Sequence, residues 1–390
     1  MGRLILTAKG LKWFRRGHPW IFRDDLKRVE DAAPGAIVAL ESERGDFLAQ
    51  GFYSEPSKIA FRLLSRNREP IDRDFWRKRL LEAVQYRERV VQGTDAYRLV
   101  YGEADGLPSL IVDRYGDHLV LQTLSAGAER ILPEITALLL DLLRPLSIVL
   151  RNDLGVRGLE GLPQEKRVLF GECPPAVQVT EGEIRYRVNP LSGQKTGAYL
   201  DQRENRQEAA RFLKGNVLDA FCYHGLFALH AARQASRVTG IDSSPDALEQ
   251  AGENARLNGL AHLTFLRANV FDFLKAQAEE GRRYDGIVLD PPAFAKSREQ
   301  VGGALRGYRE LNLRAIRLLQ PGGVLVTSSC SYNLSESQFL QVLREGAREA
   351  GAALRLVEKR TQSSDHPILL TFPESFYLKC LILEKAGPYF

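Results

Sequence analysis

Methionine is nearly missing from this 390-residue chain, with one residue, and cysteine is sparse, with four at positions 173, 222, 330 and 380. No two of the cysteines form a C-x-x-C pair, which argues against a zinc knuckle or a thioredoxin-like motif, and no metal is expected. In a reducing compartment they stay thiols, and a lone thiol can then act as a nucleophile. No apolar run approaches the roughly 20 residues needed to cross a bilayer; the longest, about 135–143, is interrupted by Asp141. The opening Met1-Gly2-Arg3-Leu4-Ile5-Leu6-Thr7 has no apolar core or cleavage site of secretory type. The expectation is a cytoplasmic protein with no membrane partner. Also missing are a fixed-period repeat and a G-x-G-x-x-G string.

What is present reads as an ordinary globular composition, 44% hydrophobic and 26% charged. The length allows two or three domains. The net charge of +5 is unevenly spread: residues 1–90 hold 19 Lys/Arg against 13 Asp/Glu, and the other 300 hold 35 against 36. All the excess positive charge therefore lies at the N-terminal end, where it suits a surface that meets phosphate. A solvated basic face would leave the same trace.

Three segments differ in grammar. Residues 1–68 read as a small β-rich domain, with strand-like runs at 36–40, 47–51 and 58–64 punctuated by Pro34-Gly35, Arg44-Gly45-Asp46 and Ser54-Glu55-Pro56. Residues 69–185 read as a small α+β domain. It has a helix over 72–91 with Asp72 as N-cap, strands at 97–100, 110–113 and 118–123, a helix at 131–143 and a strand at 147–151. In residues 186–390 strands alternate with helices. Strands at 217–220, 238–241, 263–267, 286–289 and 324–328 are followed by helices from 226, from 245, near 271, near 305–319 and from 335. That alternation predicts an α/β, Rossmann-like, doubly wound parallel sheet, which binds ligands beyond the C-terminal ends of its strands.

The candidate residues fall at such ends. The first strand runs out in Asp219-Ala220-Phe221-Cys222-Tyr223-His224-Gly225 and enters a helix, a turn where a ligand can approach the backbone. The second ends Gly240-Ile241-Asp242-Ser243-Ser244-Pro245; a carboxylate there can accept both ribose hydroxyls. With Gly225 as the lone glycine of the turn, a pyrophosphate is poorly served and a dinucleotide oxidoreductase is the weaker reading. S-adenosylmethionine carries no phosphate and tolerates a sparser loop. Asp219 would meet its amino-acid portion, and Phe221, Ser243 and Val270 would line the site. Asn269, in Arg267-Ala268-Asn269-Val270, would meet the adenine edge, unless it merely caps the next helix.

The fourth strand ends Leu289-Asp290-Pro291-Pro292 and the fifth ends Thr327-Ser328-Ser329-Cys330-Ser331. Neighbouring strands would bring Asp290 and Cys330 to one rim. This pairing suits methylation of a pyrimidine at C5. A thiolate adding at C6 turns C5 into a nucleophile, and a carboxylate can hydrogen-bond the Watson–Crick edge. The sequence does not show what ionises the thiol or what removes the C5 proton.

With these motifs in hand, the chain resembles the RlmI-like 23S ribosomal RNA cytosine-5 methyltransferases over nearly its whole length. Gly17-His18-Pro19-Trp20-Ile21-Phe22 and the β-rich segment after it look like the family's PUA RNA-binding domain. Lys195-Thr196-Gly197-Ala198-Tyr199-Leu200-Asp201-Gln202-Arg203 looks like its lead-in to a class I S-adenosylmethionine-dependent methyltransferase fold. The resemblance implies that Cys330 is the nucleophile, that Asp290 contacts both pyrimidine and cofactor, and that Tyr199 and Gln202 join the cofactor site. It also implies S-adenosylhomocysteine as the spent cofactor and 23S ribosomal RNA or the large-subunit particle as partner. Lys9, Lys12, Arg15, Arg16 and Arg23 would track phosphate, while Trp13 and Trp20 are better read as packing. The target base must leave its stack to reach Cys330. A homodimer is compatible with a sequence that carries no decisive interface signal. The competing readings are a nitrogen-methylating enzyme, for which Asp-Pro-Pro also serves, and a noncatalytic RNA-binding assembly factor.

Overall fold

The computed structural model describes residues 1–193, 195–295 and 297–387. The chain divides into two units, one of Met1–Thr180, Val188–Leu200 and Ser364–Ser375, the other of Glu181–Arg187, Asp201–Ser363 and Phe376–Phe390.

The first unit contains two sheets. A six-stranded sheet runs in the order Trp20–Phe22, Ile59–Ser65, Phe47–Tyr53, Ile37–Glu41, Arg3–Leu6, Leu26–Glu30. Its core is Leu4, Leu6, Phe14, Ile21, Val38, Leu40 and Phe61. The strands at 37, 47 and 59 lie where the apolar runs place them. The strands at 3, 20 and 26 and the helix Ala8–Phe14 do not stand out in sequence. They are three to seven residues long, too short for a period to show, and the edge strand Leu26–Glu30 carries mostly exposed charge. A five-stranded sheet follows in the order Glu165–Gly171, Ser147–Asn152, His118–Thr123, Leu110–Tyr115, Ala96–Tyr101. The helices Arg73–Val90 and Ala126–Leu143 pack on it. Asp72 does cap the first, accepting from the amides of Asp74 and Phe75 at 3.1 Å each. The second begins at Ser125, earlier than the sequence suggests, because Pro133 sits inside it and masks its first turns.

The second unit is built on a seven-stranded sheet. Its strands are β1 (Gly215–Ala220), β2 (Ala235–Asp242), β3 (Leu263–Arg267), β4 (Tyr284–Leu289), β5 (Leu319–Ser329), β6 (Ala353–Arg360) and β7 (Lys379–Ala386). The helices are α1 (Arg203–Ala210), α2 (Leu226–Ala231), α3 (Pro245–Leu257), α4 (Val270–Glu279), α5 (Val301–Leu318) and α6 (Glu336–Glu349). The order is β3-β2-β1-β4-β5-β7-β6. Alternate residues along each central strand feed two cores, as a sheet buried on both faces requires. Leu218, Ile241, Ile287, Leu289 and Leu325 pack with Leu274, Tyr308 and Phe339 of α4, α5 and α6. Val217, Val238, Val288, Val324 and Val326 pack with Ala209, Phe227 and Ala231 of α1 and α2.

One correction to the parallel sheet follows. β1 to β5 are parallel, but β7 runs antiparallel to both β5 and β6. The edge strand β6, Ala-Leu-Arg-Leu-Val-Glu-Lys-Arg, is half charged and mostly exposed or half-buried, so it leaves little apolar signal. The order reverses at β1, with β2 on one side and β4 on the other. The crevice outside those strand ends is the place for a ligand.

Candidate active site

The turn after β1 has an unusual backbone. Phe221, Tyr223 and Gly225 take φ of 66°, 49° and 74°, so every second residue lies in the left-handed region. Two side-chain-bearing residues thus adopt a conformation that glycine enters freely and others enter at about 1–2 kcal/mol each. The strain is held by neighbours. The amide of Cys222 bonds the carbonyl of Ile241 at 2.9 Å, the amide of Tyr223 bonds Asp242 Oδ2 at 3.0 Å, and the Tyr223 and His224 rings stack 3.7 Å apart. Glycine is still needed at two points. A Cβ on Gly225 would lie 2.9 Å from the Phe265 ring, and one on Gly240 would lie 2.5 Å from it.

Three carboxylates lie at neighbouring strand ends around this turn. Asp219 is buried at the end of β1; its Oδ2 accepts from the amide of Ala228 in α2 at 2.9 Å, while its Oδ1 has no partner among the described residues. Burial, with Asp290 and Asp242 adding like charge, holds this carboxyl well above the usual range. Asp242 also receives the amide of Ser244 at 2.9 Å, which fixes its rotamer. Ser243 beside it is exposed. Burial, with Asp219 and Asp242 adding negative charge, pushes the Cys222 thiol well up, so this cysteine is a packing residue. Burial lowers His224 to about 4, which keeps it neutral.

Asp290 and Cys330 end the adjacent strands β4 and β5, where Leu289 pairs with Thr327. Cys330 is half-buried, and its Sγ lies 4.0 Å from the carbonyl of Pro291, the residue next to Asp290. The loops are tied by hydroxyls: Ser329 Oγ donates to Tyr308 Oη at 3.0 Å, Tyr308 Oη meets Ser331 Oγ at 3.3 Å, and Ser331 Oγ accepts from the amide of Ala295 at 3.3 Å. Asp290 Oδ1 accepts from Gln202 Nε2 at 2.8 Å; Gln202 Oε1 accepts from Asn205 Nδ2 at 2.6 Å; Asn205 Oδ1 accepts from Arg360 Nε at 3.1 Å. Beneath, Lys379 of β7 is buried, with Nζ donating to the carbonyls of Ser331 at 2.7 Å and Tyr377 at 2.8 Å.

Comparison with known proteins identifies this arrangement. Residues 164–381 match the family model of the S-adenosylmethionine-dependent methyltransferases, and residues 4–66 that of a PUA-like domain. A protein of Aeromonas hydrophila named Ribosomal RNA large subunit methyltransferase I is 42% identical over 98% of this chain and 100% of its own. A protein of the same name from Vibrio cholerae is 40% identical over 96% of this chain and 97% of its own. The chain belongs to this methyltransferase family. Two solved structures share the fold, each at 23% identity over 98% of this chain and 100% of theirs. One is a methyltransferase complexed with S-adenosylhomocysteine (TM-score 0.85) and the other a methyltransferase from Streptococcus mutans (TM-score 0.84).

S-adenosylmethionine is the cofactor of the methyltransferase family, and the residues fit it. A rim of three carboxylates, one with an unpartnered buried oxygen, suits a ligand that brings hydroxyl and ammonium donors and a positive sulfonium. The left-handed positions 221, 223 and 225, of which only 225 is glycine, curl the backbone of this turn at the end of β1.

Several expected site residues sit differently. Gln202 is buried and holds Asp290 rather than standing open to a ligand. Asn269 is the N-cap of α4, its Oδ1 accepting from Phe271 and Asp272, so only its amide nitrogen is left to offer a ligand; Val270 is the buried first residue of that helix. Tyr199 belongs to the first unit, where its ring lies 4.1 Å from Lys195 Nζ. Among the basic residues Lys12, Arg15 and Arg16 are exposed, and Lys9 is exposed although it pairs with Asp25 at 3.2 Å. Arg23 is half-buried, and its guanidinium clamps the 54–57 loop, donating to the carbonyls of Ser57 and Ser54. Trp13 and Trp20 pack, with indole N–H groups bound to the Trp20 carbonyl and to Glu103. Sequence reasoning passed over Lys379, although a lysine inside the apolar run Leu378–Leu383 is a signal in itself.

Proposed function

We propose that this methyltransferase acts on large-subunit ribosomal RNA, and that it methylates C5 of a cytosine in 23S RNA through a covalent bond between Cys330 and C6. The observation that carries this reading is the half-buried thiol at the end of β5, beside the Asp290-Pro291 peptide. Methylation of a nitrogen has no use for a thiol there.

S-adenosylmethionine, when bound, supplies an electrophilic methyl group. Asp242 takes the ribose hydroxyls. Asp219, Phe221, Gly225 and Ser243 line the turn side, and Val270 with the amide nitrogen of Asn269 takes the adenine side. Asp290 hydrogen-bonds the cytosine edge and holds its charge as Cys330 Sγ adds to C6. The addition makes C5 nucleophilic toward the methyl. A base then removes the C5 proton, and the C5–C6 double bond re-forms as the Sγ–C6 bond breaks, returning the thiolate. The PUA-like segment binds the RNA through Lys9, Lys12, Arg15 and Arg16, and the enzyme works in the cytoplasm, where its substrate is assembled.

The test is a Cys330→Ala enzyme with ribosomal RNA lacking the modification. Turnover should fall by at least about 10³-fold while cofactor affinity is kept. RNA carrying 5-fluorocytosine should trap an adduct at Cys330, because fluorine cannot leave as the C5 proton does. Near-normal turnover in the variant would overturn the covalent reading in favour of nitrogen chemistry.

A further inference from the structure

Lys379 is a cation in an unusual place. It is 3% exposed, and among the described residues its ammonium forms no ion pair with a carboxylate. Its two acceptors are the carbonyls of Ser331 and Tyr377. An ammonium has three donors, so one remains. Burying such a group is costly unless an opposite charge answers it.

The sheet register says what that charge is. Lys379 pairs with Ser329 across β5 and β7, and its Nζ bonds the Ser331 carbonyl, so its two anchors on β5 are the residues before and after Cys330. The other ionisable groups around it are engaged elsewhere. Glu336, at the start of α6, pairs with Lys359 at 2.8 Å. Tyr308 of α5 is held by Ser329 and Ser331 and raised by burial. Tyr377 donates its hydroxyl to Asp201 at 2.6 Å, and Arg360 of β6 bonds Asn205 and Glu358. Two acids act on this ammonium: Cys330, which lies between its two anchors, and Glu336, which is shared with Lys359.

We infer that Lys379 is the electrostatic partner of Cys330, its buried ammonium stabilising the thiolate that attacks the pyrimidine. The inference rests on the reading of Cys330 as nucleophile. Lys379 is a positioning residue in this scheme, acting on substrate through the sulfur. Burial lowers Lys379 to about 8, while Cys330 and Glu336 pull it back up, so the ammonium persists at neutral pH and is lost above it. Its bond to the Ser331 carbonyl also fixes the strand end that carries the thiol.

The test reads the thiol directly, through the pH dependence of Cys330 alkylation by iodoacetamide in the full chain, resolved by peptide mass spectrometry. In the unsubstituted protein Cys330 should titrate below the ordinary thiol value of ~8.5. Lys379→Met should raise the midpoint by about one unit or more, slowing alkylation roughly tenfold at pH 7, and Lys379→Arg should restore much of it. Single-turnover methylation by Lys379→Met should fall in parallel and recover as the pH is raised. A merely structural tether would lower the rate at every pH without moving the midpoint. Two results would overturn the inference: titration of Cys330 at or above ~8.5 in the unsubstituted protein, which needs no variant to fold, or an unshifted midpoint in a folded Lys379→Met protein. Failure of the covalent reading shows separately, as turnover by Cys330→Ala with the thiol titration unchanged.

Discussion

Gln202 and Asp290 are 88 residues apart in sequence and joined by a 2.8 Å hydrogen bond from Nε2 to Oδ1. The bond fixes one oxygen of the Asp-Pro-Pro carboxylate and with it the orientation of the group. Asn205 and Arg360 fix Gln202 in turn, so the carboxylate is set by a chain of side chains rooted on α1 and β6. Positioning of this kind is what a preorganised polar group needs in order to stabilise charge as it develops.

Gln202→Leu should therefore leave Asp290 chemically intact but mobile. We expect kcat to fall about 10- to 100-fold, with cofactor affinity changed much less, since second-layer partners typically carry effects of that size. Single-turnover kinetics beside cofactor calorimetry would check it. An equal loss in both would instead make Gln202 a ligand contact.

The glycines beside Phe265 make a paired prediction. Gly240→Ala drives a methyl to within 2.5 Å of the ring, and Gly225→Ala does so at 2.9 Å while also forcing alanine to a φ of 74°. Overpacking of this kind costs about 1–3 kcal/mol. Phe265→Leu should rescue the first substitution and only part of the second, because the backbone strain survives removal of the ring. Urea unfolding midpoints of the single and double variants measure the difference.

Glu181 lies fully buried between Arg206, which it meets at 2.7 and 2.5 Å, and His230 at 2.9 Å. Burial pushes its carboxyl up, but Arg206 and His230 outweigh that and bring it to about 2, against an ordinary 4.5. A carboxyl more acidic folded than unfolded adds stability that is complete above 4.5 and is lost as pH falls toward 2. Glu181→Gln should cost about 3–5 kcal/mol at pH 7 by stranding Arg206. The gap to the unsubstituted protein should narrow between pH 4.5 and 2, as read from chemical unfolding.

The basic residues of the N-terminal segment should separate into two classes. Glutamate at Lys12, Arg15 or Arg16 should weaken RNA binding regardless of sequence and reduce the slope of log affinity against log salt by about 1 per site, with the fold untouched. Arg23→Ala should instead lower stability by about 1–3 kcal/mol, through the unpaired carbonyls of Ser54 and Ser57. Filter binding across a salt series and thermal unfolding would show the two patterns.

The parts of the site legible in sequence were those that end a strand. Asp219, Asp242 and Asp290 close runs of buried apolar residues and Cys330 follows a buried strand end, so strand periodicity locates them and the parallel order brings them to one edge. Side-chain roles set by distant partners were not legible. Arg23 carries the same charge whether it faces phosphate or a loop carbonyl. Asn269 is as apt to cap a helix as to meet a base. The exposed, charged edge strand β6 has no apolar period to read, and the buried run of β7 carries nothing that tells its direction in the sheet.

Strand ends, the carboxylates and thiol standing on them, and the family were written in residue order, since burial on two faces imposes a repeat that survives in one dimension. The left-handed turn at 221–225, the grip of Gln202 on Asp290 and the lysine bracketing Cys330 were decided only in three dimensions. Each depends on which groups folding brings within hydrogen-bond reach, and no local pattern encodes a partner dozens of residues away.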